Sequence, residues 1–130
     1  MEWDLAAIDR SIVERLRAAF GARLIYRFGS TAAGGARFPE SDVDVAFLAD
    51  READPVCVFD LGNALAGETG VDVDLVDLRG ASTVMRKEVY VNGVCIYEDR
   101  PETRAYFEMY ALSDYARLNE ERRPVLEAMS

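Results

Sequence analysis

Residues 28–44 read FGSTAAGGARFPESDVD, and two kinds of chemistry lie within that stretch. Asp42 and Asp44 are separated by one valine. On an extended strand alternate side chains share a face, so both carboxylates project together while Val43 and Val45 turn into a core. Neighbouring carboxylates repel unless a cation or a shared proton relieves them. Hard oxygen donors at this spacing suit Mg²⁺, which keeps several waters and is completed by phosphate oxygens. A solvated acidic strand end has the same pattern, so Asp-x-Asp alone leaves both readings open.

Gly29-Ser30 supplies the second chemistry. Glycine lets backbone N–H groups approach a ligand closely, and a serine at a helix N-terminus adds a hydroxyl donor, which together form a phosphate-binding arrangement. It is not a P-loop, because no Gly-Lys-Ser/Thr follows. Gly-Ser is also a generic turn, and its weight comes from the order strand, Gly-Ser, glycine-containing loop, Asp-x-Asp. A third carboxylate is sought in VDVDLVDL, residues 71–78. Asp72 and Asp74 share one face and Asp77 points to the other. Asp74, the more central, is the candidate.

The elements that must position these groups follow from hydrophobic periodicity. Leu5, Ile8, Ile12, Leu16 and Ala19 recur at helical spacing, which predicts a helix over residues 4–20 closed by Gly21. Residues 23–28 and 42–49 read as strands, the second becoming apolar throughout as a covered strand does. Pro55 opens a helix to about Ala66, with Val56, Phe59, Ala64 and Leu65 apolar and Gly67 and Gly70 as breakers. A third strand spans 71–78, a third helix 81–91, and a short fourth strand 94–98. Pro101 starts a helix to about residue 118, with Ala105, Met109, Leu112 and Ala116 on one face and Pro124 marking a fraying end. The expected class is therefore α/β or α+β, with a small mixed sheet of about four strands flanked by helices. Residues 1–130 are read as one domain on which the last helix packs.

Composition narrows the function. The chain has 130 residues, no histidine and a net charge of −9. Acid–base or metal chemistry must therefore use carboxylates, hydroxyls, lysine or arginine. Residues 38–80 hold eleven acidic and two basic side chains, so the negative excess begins near Asp42. Charge of that sign repels phosphate backbones and argues against direct nucleic-acid binding, while favouring divalent cations or a basic protein partner. No apolar run is long enough to span a bilayer and no cleavable leader is evident, so the expected location is cytoplasmic. Cys57 and Cys95 are too few and too far apart for a zinc motif and are expected to be buried thiols.

The quoted residues resemble a known family. FGSTAAGGARFPESDVDVAFL is similar to the Gly-Ser, spacer, Asp-x-Asp signature of the DNA polymerase β-like nucleotidyltransferase superfamily. The short chain, VDVDLVDL, VNGVCIYE and RAYFEMYALSDYARL resemble its minimal nucleotidyltransferases, over roughly residues 20–118. Eleven residues separate Ser30 from Asp42, a slightly longer spacer than is usual there, with Phe38-Pro39 the expected place of the extra residue.

The resemblance implies a mechanism and a partner. ATP would lie with its triphosphate against Gly29 and Ser30. Asp42 and Asp44 would hold Mg²⁺, with a second ion shared with Asp74, which would also help deprotonate the acceptor hydroxyl. AMP would be transferred and pyrophosphate released. Minimal nucleotidyltransferases pair with a small helical HEPN protein, an RNase toxin, so the implied function is an adenylyltransferase antitoxin that modifies a tyrosine of that toxin. Alternatives are an antitoxin of the same fold that neutralises by binding alone, and a small-molecule, antibiotic-type nucleotidyltransferase.

Other side chains have plainer readings. Tyr106, Phe107, Tyr110 and Tyr115 read as packing with partner contact. Arg37, Arg86-Lys87 and Arg122-Arg123 read as solvated charges, and Trp3 as a cap on the core.

Overall fold

The computed structural model describes residues 4–29 and 42–129. Helix α1, Leu5–Phe20, starts where the Asp4 side chain accepts from the Ala7 N–H and ends at Gly21, whose φ of 65° is left-handed. Such a cap favours glycine because no Cβ opposes it. Strands β1 (Leu24–Phe28) and β2 (Val43–Leu48) pair antiparallel. Helix α2 (Pro55–Thr69) then crosses over to β3 (Val73–Asp77), which lies parallel to β2. A parallel pair needs such a crossover, whereas the antiparallel pairs do not. Helix α3 (Thr83–Asn92) leads into β4 (Val94–Glu98), antiparallel to β1, and α4 runs over Pro101–Met129. The sheet order is β3-β2-β1-β4, the mixed four-stranded sheet expected from the alternation of elements.

The sheet separates two apolar layers. Ile25, Val43, Val45 and Phe47 face α1 and α2, joining Ile12, Leu16, Leu61 and Leu65. Leu24, Tyr26, Phe28 and Ala46 face α3 and α4, joining Leu78, Val89, Phe107 and Ala111. This is the two-residue alternation of strands, and it leaves central β1 buried along its whole length. Arg27, 6% exposed, is held by Asp9 of α1 at 3.1 Å. Among the described residues no helix is long and apolar enough to cross a membrane.

Several expectations are corrected. Gly67 does not break α2, which continues to a left-handed cap at Gly70. Val56 and Phe59 are 65% and 69% exposed, because α2 buries its Leu61–Leu65 stripe instead. Cys57 is exposed, while Cys95 is half-buried. Helix α4 passes through Pro124 to Met129 in a stretch where water can satisfy the carbonyl that proline leaves unpaired. It buries Phe107 and Ala111 and not the stripe of Met109 and Leu112, both about half exposed. Tyr106 and Tyr110 are also exposed. Arg86 is no solvated charge: its guanidinium donates to the carbonyls of Leu78 and Arg79, tying α3 to the end of β3. Trp3 lies outside the described residues, as do Arg37 and Phe38-Pro39.

Candidate active site

Ladder register assembles the site. Phe28, the last residue of β1, pairs with Asp44 of β2, so Gly29 follows directly beside that carboxylate. Gly29 has φ of +73°, and a Cβ there would collide with the Asp44 carboxylate, lying 3.2 Å from its Cγ. Only glycine fits, both for conformation and for space. On its other side Asp44 pairs with Asp74 in the parallel ladder. Asp44 and Asp74 therefore share the α3/α4 face of adjacent strands, while Val43 and Val45 are fully buried on the other face. Asp42 precedes β2 and is exposed.

The electrostatics follow this arrangement. The Asp44 carboxyl is pushed above its ordinary value, first by burial, then by the Asp74 charge, then by that of Asp42. A carboxylate crowded by two others favours a compensating cation. As they stand, no three His, Cys, Asp or Glu side chains among the described residues converge closely enough to hold a metal ion. The donors are nonetheless all hard oxygens, so the residues fit Mg²⁺ by donor type, and the Asp44 carboxylate itself fills the place beside Gly29 that a Cβ would need.

Of the three carboxylates weighed in the third strand, only Asp74 is brought beside Asp44. Asp77 lies on the opposite face and accepts from the Ala53 N–H at 2.7 Å and the Arg79 N–H at 3.0 Å, fixing the turns on either side. Asp72 precedes β3, and its carbonyl receives the Val43 N–H. Ser30 falls outside the described residues.

A cavity of about 550 Å³ adjoins the carboxylates, lined by Asp42, Asp72, Asp74, Glu52 and Phe59 among others. Nothing in the sequence pattern singled out Glu52 or Phe59. The acidic bias of residues 38–80 was the available signal. A larger cavity of about 670 Å³ lies at the other end of the sheet, lined by Arg23, Arg79, Arg86, Tyr106 and Tyr110, away from the carboxylates.

Comparison with known proteins gives this geometry a family context. A family model described as polymerase beta nucleotidyltransferase matches residues 10–102. The protein adenylyltransferase MntA of Shewanella oneidensis is 35% identical over 105 residues, 81% of this chain and 74% of its own length. A crystal structure of a toxin-antitoxin with AMP-PNP aligns with TM-score 0.85 and 33% identity, covering 93% of this chain and 97% of that one. A structure of tri-AMPylated Shewanella oneidensis HEPN toxin in complex with MNT antitoxin aligns at 0.81 and 30%, covering 95% and 97%.

Proposed function

The chain belongs to the polymerase beta nucleotidyltransferase family, and on that premise we propose that it is a protein adenylyltransferase that transfers AMP from ATP to a tyrosine hydroxyl of a HEPN toxin, serving as the antitoxin of that pair. The observation that carries the reading is Asp44 held between Gly29 and Asp74. The 35% identity to an adenylyltransferase and the likeness to a complex with AMPylated toxin support it.

Each residue has a part in this reading. Gly29 lets backbone N–H groups close on the triphosphate, with Ser30 adding a hydroxyl. Asp42, Asp44 and Asp74 would hold Mg²⁺, as two ions. Held by these carboxylates, the metal would supply charge neutralisation on the phosphates and on the entering and leaving oxygens of an in-line displacement. Asp74 accepts the acceptor's proton as its oxygen bonds to the α-phosphorus and the bond to the pyrophosphate oxygen breaks. AMP stays on the acceptor and pyrophosphate departs.

Intact-mass spectrometry of a cognate HEPN protein mixed with this chain and Mg-ATP tests the proposal. An adenylyl adduct is expected with the wild type and none with Asp42→Asn. Absence of any adduct with the wild type would refute the catalytic reading.

A further inference from the structure

Strand β3 closes one side of the sheet. The Asp72 carbonyl accepts from Val43 and the Leu78 N–H donates to Phe47, so Asp74 and Val76 also turn their backbone groups toward β2. Val73 and Leu75 must then direct theirs outward, where no described strand lies. Helix α2 covers part of this edge: a Cβ on Gly62 would come within 3.2 Å of the Val73 carbonyl. The open stretch is therefore centred on Leu75. Unpaired backbone groups on a strand edge are a template for another extended chain.

The 550 Å³ cavity follows this edge. Residues from both faces of β3 line it, Asp74 and Leu75 among them, and α2 contributes Phe59 and Asn63. Asp42, Glu52, Asp72 and Asp77 also line it, and no lysine or arginine among the described residues does. Asp77 is engaged by backbone N–H groups, whereas Glu52 and Asp72 form no ion pair among the described residues. A second copy of this chain would bring like charge onto like charge, and nucleic acid would be repelled.

We propose that this groove seats an extended, basic segment of the acceptor protein along the β3 edge, with Glu52 and Asp72 selecting its cationic side chains and Phe59 an apolar one. The inference rests on the transferase reading, because Asp42 and Asp74 line both the groove and the transfer site. It supplies what that reading lacks, a surface that recognises the acceptor independently of ATP.

Two measurements keep the proposal and its premise apart. The first uses a short fluorescein-labelled peptide of alternating arginine and valine, read by fluorescence polarisation against the purified chain. Binding is expected, weakened about tenfold by Glu52→Arg or Asp72→Arg, as reversal of a complementary interface charge does. An alternating glutamate-valine peptide should not bind. No arginine-peptide binding, or binding by both reversals as tight as that of the wild type, overturns the groove. The second reads Mg-ATP affinity by calorimetry, which the reversals should leave unchanged. A loss of Mg-ATP binding equal to the loss of peptide would assign the groove to nucleotide and overturn the proposal. Failure of AMP transfer by the wild type bears on the transferase reading alone, since the peptide measurement needs no chemistry.

Discussion

Asp44 and Asp74 are direct neighbours across the parallel β2–β3 ladder, and the charge of Asp74 is the larger of the two carboxylate influences that raise the Asp44 carboxyl. Like charge at this spacing, on a partly buried strand, destabilises the fold unless a cation or a proton joins the two carboxylates. Two strands from opposite ends of a crossover are needed to make it.

Replacing Asp44 with asparagine should therefore separate stability from activity. The variant is expected to gain about 0.5–1 kcal/mol at neutral pH, a modest figure because the half-buried group is partly screened. Its melting temperature should rise by about 2–4 °C while AMP transfer disappears. Scanning fluorimetry and intact-mass measurement read both, and a fall in melting temperature would contradict the repulsion. If the variant still binds the HEPN partner but leaves it active, neutralisation by binding alone is refuted.

Gly29→Ala tests the close approach. The φ of +73° costs an alanine about 1–2 kcal/mol, and its Cβ would displace the Asp44 carboxylate. Transfer should fall about 10²-fold, the scale of an ångström of misplacement at a reacting centre. Unchanged kcat/KM would show that phosphate does not approach here.

Asp99 offers a pH test away from the site. The Thr103 hydroxyl, together with Arg23 at 2.7 Å, holds its carboxyl down to about 2. A depressed carboxyl stabilises the folded state fully above about pH 4 and loses that contribution as pH falls toward 2. Asp99→Asn should cost about 1 kcal/mol at pH 7, after allowance for solvent screening, and flatten the slope of stability between pH 4 and 2. Urea unfolding across that window measures it, and parallel slopes would contradict the linkage.

Asp9→Ala removes a carboxylate from the buried Arg27 guanidinium, which is 8% exposed as a side chain. A loss of about 2–3 kcal/mol is expected, since Arg27 keeps other contacts. Pairing Asp9→Ala with Arg27→Met should recover much of it. Equal instability of the single and double variants in chemical denaturation would refute the unpaired-charge account.

The order of elements was legible because caps and periodicity are local: Asp4, Gly21, Pro55 and Pro101 mark their helices in the chain itself. The placing of Asp44 opposite the buried Val43 and Val45 was legible for the same reason, through strand alternation, whereas Asp42 precedes the strand. The choice of Asp74 over Asp72 and Asp77 depended on register, which alternation alone narrows only to a face. What the sequence hid was docking. Helical spacing shows that α4 has apolar stripes but not that Phe107 and Ala111 face the sheet while Met109 and Leu112 do not. Likewise the exposure of Phe59 on α2 and the groove beside Leu75 follow from strand order, a property of the assembled sheet.

The pairing of Phe28 with Asp44 makes the site a matter of register. The ladder, and not the length of chain between them, brings Gly29 to its carboxylate. That distance is therefore set by strand pairing, a property of β1 and β2 themselves. A slip of one residue in the β1–β2 register would turn the Asp44 carboxylate to the other face of the sheet and open the clasp, whatever the residues that join the two strands.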